Sequence, residues 1–96
     1  MPHLRWSQAA LHDVTRLHDF LAPKSEDAAC RAVKTIRDGM KILASHPEIG
    51  RSIEELSGEF REWIIEFGQG AYVTLYHYDG YEIVILAIRH GREVGY

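Results

Sequence analysis

Residues 60–96 read FREWIIEF, GQ, GAYVTLYHY, DG, YEIVILAIR, HGREVGY, and the fold follows from them. The pattern is three strands, two tight turns and a short polar tail. Asp79-Gly80 predicts a two-residue hairpin turn, because such a turn needs positive φ and this dipeptide tolerates it. Gly68-Gln69-Gly70 predicts a looser one. In the third strand Tyr81, Ile83, Ile85 and Ala87 alternate with Val84, Leu86 and Ile88. Both faces are apolar, which predicts a central strand covered on both sides. In the middle strand Tyr72, Thr74, Tyr76 and Tyr78 share one face, and Val73 and Leu75 the other. Val73 and Leu75 are expected to meet the helices. The tyrosine row is then expected on an open face, where it stacks bases, grips a partner or strengthens the sheet by cross-strand packing. Trp63, Ile65 and Phe67 read as core.

The upstream residues supply the cover. His3-Leu4-Arg5-Trp6 reads as a short edge strand. Ser7 is placed to cap a helix, since its hydroxyl can accept an orphan N–H of the first turn. Ala10, Val14, Leu17 and Leu21 recur at helical spacing, and Leu11 and Phe20 widen the stripe, so residues 7–22 form an amphipathic helix. Pro23 breaks it. Ser25 caps again, with Glu26 and Asp27 in the first turn. Ala29, Val33, Ile36, Met40 and Leu43 carry a second helix to about Ser45. His46-Pro47-Glu48-Ile49-Gly50 ends it, and residues 51–59 read as a polar loop. The expected fold class is α+β over a single domain, 1–96. Its order is β-α-α-β-β-β, with a helical hairpin packed on one face of a small, antiparallel-rich sheet.

Composition narrows the function. Eleven Lys and Arg against fourteen Asp and Glu leave a net charge of −3, so there is no bulk basic footprint for nucleic acid. The single cysteine, Cys30, excludes an internal disulfide and fits a cytoplasmic protein. No apolar run reaches the ~18 residues of a membrane span, and MPHLRWSQ has no signal-peptide core. His3, His12, His18, His46 and His77 show no clustered ligand spacing with cysteines or carboxylates, so no metal and no cofactor are expected. Cys30 reads as a small helical filler.

Chemistry-bearing residues gather at the strand ends. Arg89, His90, Arg92 and Tyr96 lie close together in the tail, and Arg61 starts a neighbouring strand. Arginines with a histidine and a tyrosine could bind a phosphodiester and move a proton from a 2′-hydroxyl to a leaving oxygen. The same arginines could equally pair with Glu62, Glu66 or Glu93 on a solvated edge.

Over nearly its whole length the chain resembles the RelE/ParE superfamily of toxins from bacterial type II toxin–antitoxin (plasmid stabilisation) modules. The resemblance is carried by LRWSQAALHDVTRLHDFLAP, ILASHPEIGRS, FREWIIEFGQGAYVTLYHYDG and YEIVILAIRHGREVGY. Its most specific parts are the PEIGR turn, the arginine of FREW and the VILAIRHGRE ending. It implies the same β-α-α-β-β-β fold and one of two activities, between which fold cannot choose. RelE-like members cut messenger RNA on the ribosome without metal. That would set Arg61 and Arg89 on phosphate and His90 or Tyr96 in proton transfer. ParE-like members inhibit DNA gyrase by binding, which would make Arg89, His90, Arg92 and Tyr96 target contacts. Residues 60–96 hold three arginines, no lysine and five acids, and with the net charge this favours the ParE-like reading. A third possibility is a copy that only tunes repression by its antitoxin. The resemblance also implies a cognate antitoxin, often a ribbon-helix-helix protein (ParD-like). Its helix is expected beside the two helices near Trp6, Leu11 and Phe20, or it adds a strand at a sheet edge.

Overall fold

The computed structural model describes residues 2–91. The elements are β1 (His3–Trp6), α1 (Gln8–Leu21), α2 (Glu26–Ser45), β2 (Arg51–Ser52), β3 (Phe60–Phe67), β4 (Gly70–Tyr78) and β5 (Glu82–His90). The five strands form one sheet in the order β1-β5-β4-β3-β2. β1 runs parallel to β5, and the other pairs are antiparallel. The α+β class and the element order agree with the expectation, with β2 added where a loop was expected.

Both predicted caps form. Ser7 Oγ accepts from Ala10 N at 3.0 Å, and Ser25 Oγ accepts from Ala28 N at 3.1 Å. Each satisfies a donor that the first helical turn leaves orphaned. The two helices pack Ala10, Leu17, Ala32, Ile36, Met40 and Leu43 against Ile65, Tyr72, Tyr76, Ile83, Ile85 and Ile88. Burying each large side chain of this set contributes about 1.5–3 kcal/mol before conformational entropy is subtracted. Among the described residues, no helix is long and apolar enough to cross a membrane.

The expected faces of β4 are inverted. Tyr72, Thr74 and Tyr76 are buried with the core, while Val73 and Leu75 are only half-buried. Tyrosine carries a large apolar body and needs a partner only for its hydroxyl, which Tyr76 finds in the backbone. The alternation in β5 also misleads, because a bulge interrupts it. Leu75 pairs with Ala87 but Tyr76 pairs with Ile85, so Leu86 is the extra residue. Ile83 and Ile85 are buried before the bulge and Ile88 after it, a phase change that makes both faces look apolar in sequence. β5 lies inside the sheet, as expected, but Val84 and Leu86 on its other face are only half-buried rather than covered.

The two turns exchange roles. Gly68-Gln69 is the two-residue turn, since Phe67 pairs with Gly70, and Gly68 takes φ +60. The connection at Asp79 is three residues long and leaves Tyr81 exposed. There Asp79 Oδ1 accepts from the N–H groups of Tyr81 and Glu82, both at 2.8 Å. These donors hold the Asp79 carboxyl below its ordinary pKa.

Past Trp6, among the described residues, β5 has no strand on its β1 side, and α1 with its cap takes that place. Ser7 N donates to Ile85 O at 3.0 Å, and Ser7 Oγ donates to Leu86 O at 3.3 Å. Ile88 N donates to Asp13 Oδ2 at 2.9 Å, and Arg16 Nη2 donates to Ile88 O at 3.3 Å. Side chains of one helix thus satisfy a row of backbone groups that would otherwise form an open edge.

Candidate functional site

The inner face of β4 links two different places. At one end, Tyr76 Oη donates to Pro47 O at 2.8 Å and accepts from Gly50 N at 2.9 Å. The turn after α2 is thereby fastened to the sheet. Gly50 must be glycine: a Cβ there would lie 2.6 Å from Tyr76 Oη and 2.8 Å from the Glu62 carbonyl oxygen. Arg61 closes the cluster, with Nη1 donating to Gly50 O at 2.7 Å and to Glu48 O at 3.3 Å. Arg51 Nε donates to Glu62 Oε1 at 2.6 Å across β2 and β3. Burial pushes the Tyr76 hydroxyl above its ordinary pKa.

At the other end Tyr72 forms the wall of a cleft of about 800 Å³, of a size that suits a small ligand or a few side chains. Arg16, Leu17, Phe20, Leu21 and Lys24 of α1 and the following turn line one side. Phe67, Gly68, Gln69, Gly70, Tyr72 and His90 line the other. Phe67 stacks on Tyr72 at 5.8 Å between ring centroids, and His90 meets Tyr72 edge-on at 5.7 Å. Lys24 Nζ lies 4.2 Å above the exposed Phe20 ring. Gly70 admits the imidazole, since a Cβ there would sit 3.0 Å from His90 Nε2. Burial raises the Tyr72 pKa as well. Two cationic side chains, an imidazole and exposed aromatic surface suit a partner with both acidic and apolar groups. A second groove of about 660 Å³ runs between α2 and β3, flanked by the half-exposed Ile42 and Ile64.

Of the described residues singled out from sequence at the strand ends, Arg61, Arg89 and His90 do not line one cleft. Arg61 sits in the closed cluster. Arg89 pairs with the buried Asp13 at 2.5 Å and donates to Ile88 O at 3.3 Å. Only His90 reaches the cleft, and Arg92 and Tyr96 lie outside the described residues. Of Trp6, Leu11 and Phe20, only Phe20 lines the cleft; Leu11 is exposed on α1, and Trp6 packs half-buried against the core. Sequence reasoning missed Tyr72, Lys24 and the Gly68-Gln69-Gly70 hairpin as cleft walls. The available signal was an exposed-size aromatic, Phe20, at the end of the α1 stripe. It also missed a grouping hidden by spacing: His18, Glu26 and Cys30 converge where α1 turns into α2.

Known proteins share this architecture. A family model described as "ParE toxin of type II toxin-antitoxin system, parDE" matches residues 4–95. Toxin RelE3 of Caulobacter vibrioides is 34% identical over 84 residues, covering 88% of each chain. Toxin RelE1 of the same organism is 33% identical over 87 residues, covering 91% of this chain and 90% of its own. A solved structure titled "Chromosomal ParDE TA system from P. aeruginosa" superposes with a TM-score of 0.75 over 94% of this chain and 96% of that one. At 23% identity that likeness bears on the fold alone. The family match and the two relatives, each covering nearly the whole chain, place this chain in the ParE/RelE family of toxins from type II toxin–antitoxin systems.

Proposed function

We propose that the chain is a ParE-like toxin that arrests growth in the cytoplasm by binding DNA gyrase, not by cutting RNA. The supporting observation is the state of the two arginines that a nuclease would set on phosphate. Arg61 Nη1 is committed to two backbone carbonyls, and Arg89 faces the carboxylate of Asp13. A phosphate arriving at Arg89 would compete with a buried anion already in place. The net charge of −3 also disfavours docking by phosphate contacts. Target contacts fall to His90 in the cleft, to Arg89 beside it, and to Arg92 and Tyr96. A ParD-like ribbon-helix-helix antitoxin would silence the toxin by docking on α1 near Trp6, Leu11 and Phe20.

Brief induction of the chain alone, with parallel pulse-labelling of DNA and protein synthesis, tests this reading. DNA synthesis should fall first, and purified chain should then inhibit supercoiling by gyrase. The second reading is a RelE-like, ribosome-dependent mRNA endonuclease, favoured by the imidazole of His90 set against Tyr72 in the cleft. An early fall in protein synthesis, with cleavage inside translated messages, would select it and return Arg61, Arg89, His90 and Tyr96 to catalysis.

A further inference from the structure

Where α1 turns into α2, three side chains of metal-ligating type meet. His18 belongs to the last turn of α1, Glu26 opens α2, and Cys30 follows one helical turn later on the same face. One ligand atom from each lies within 4.8 Å of the others. His18 Nε2 is 3.6 Å from Glu26 Oε1. The other ring nitrogen, Nδ1, is 3.1 Å from Asp19 Oδ1.

We propose that His18 Nε2, the Glu26 carboxylate and the Cys30 thiolate form a zinc site, with a fourth position open to water or an outside ligand. The donor set points to the ion. One nitrogen, one oxygen and one thiolate suit zinc, whereas the thiolate disfavours magnesium and calcium. Size agrees as well. Bonds of about 2.0–2.3 Å in a tetrahedron put ligand atoms roughly 3.3–3.8 Å apart. The His18–Glu26 separation of 3.6 Å is already in that range. Glu26 and Cys30 are exposed, so rotamer changes at the surface close the rest.

Asp19 supplies the outer support that metal-bound histidines commonly have. Its carboxylate accepts from Nδ1–H, which fixes the tautomer and leaves the Nε2 lone pair for the ion. On binding, the Cys30 S–H bond breaks, its proton goes to water, and the sulfur pair forms the bond to zinc. The occupied site ties the last turn of α1 to the first turns of α2. Phe20 and Leu21, which wall the cleft, belong to that same turn of α1.

Cobalt titration of the purified full chain tests the site, with zinc as competitor. The expected result is one cobalt per chain and a thiolate-to-cobalt charge-transfer band, displaced by zinc and untouched by excess magnesium. Cys30→Ser should abolish the band, and His18→Gln should weaken binding at least about tenfold. Asp19→Asn should keep the band but weaken binding roughly 10-fold, as loss of an outer-shell partner does. Absence of the band would overturn the proposal. So would binding that survives Cys30→Ser and His18→Gln unchanged, the mark of an adventitious ion only on the remaining histidines. One metal per two chains would replace the site with a bridge between copies.

Discussion

Tyr76 and Tyr72 stand four residues apart on the same face of β4, and both are buried. Tyr76 is a clasp: its hydroxyl joins two backbone groups of the turn after α2, and Arg61 caps the arrangement. Tyr72 is a wall: it is held by the rings of Phe67 and His90 and borders an open cleft. The strand treats the two positions alike. The difference comes from what the rest of the chain brings to each, a fitted loop at one end and a hairpin with a helix terminus at the other. Stability is therefore concentrated around Tyr76, and freedom to bind around Tyr72.

The sharpest way to break this comparison is at the glycines. Gly50→Ala would press a Cβ onto the Glu62 backbone and the Tyr76 ring, neither of which can retreat. It should cost about 3 kcal/mol, the upper end of overpacking penalties, in urea denaturation. Gly70→Ala meets only the end of the His90 ring, which can rotate, and should cost under about 1 kcal/mol. Equal losses would show that the two ends are equally rigid. Next come the hydroxyls. Tyr76→Phe strips partners from Gly50 N–H and Pro47 C=O and should cost about 2 kcal/mol. Tyr72→Phe should stay within roughly 0.5 kcal/mol.

Titration sharpens the same contrast. Burial raises both tyrosine pKa values above 10.0, so the folded state keeps protons that the unfolded chain releases. Their stabilising effect is complete below the unfolded pKa and is lost as pH rises from there through the folded values. Unfolding free energies measured from about pH 9 to about pH 11 should fall in the parent chain and fall less in either Phe variant. An effect of opposite sign is expected between the two tyrosines. Thr74 is fully buried, and its hydroxyl has no partner among the described residues. Thr74→Val should stabilise by about 1 kcal/mol, and a loss instead would mean that the hydroxyl is engaged.

Sequence made the helices legible because their signals are local. Ser7 and Ser25 announce their caps, the apolar stripes give the spans, and Pro23 separates them. The core face of β3 was legible in Trp63, Ile65 and Phe67, but the faces of β4 and β5 were not: in β4 the tyrosines take the core side instead of Val73 and Leu75, and in β5 one extra residue at Leu86 shifts the phase. β2 was hidden for a related reason: two residues, Arg51 and Ser52, have no periodicity, and only pairing to Glu62 and Arg61 defines them. The candidate site suffered most. For Arg89 the sequence offered a phosphate or the acids Glu62, Glu66 and Glu93, whereas its partner Asp13 arrives from the far side of the chain and reads as one more polar residue on an amphipathic helix. The grouping of His18 with Cys30 likewise needs the helical hairpin to exist before it can be seen.

The use of α1 in place of a neighbour for β5 bears on how the chain is made. Ser7 bonds to Leu86, 79 residues later, and among the described residues β1 pairs only with β5. During synthesis, Leu4, Trp6 and the inner side of α1 wait for a strand that leaves the ribosome after both helices and the β3–β4 hairpin. Closure is thus a late event dominated by distant contacts, the kind that slows folding. A chain stopped short of Glu82 would lack the strand joining its two halves. Such a product should be cleared by proteases rather than persist as a partial toxin.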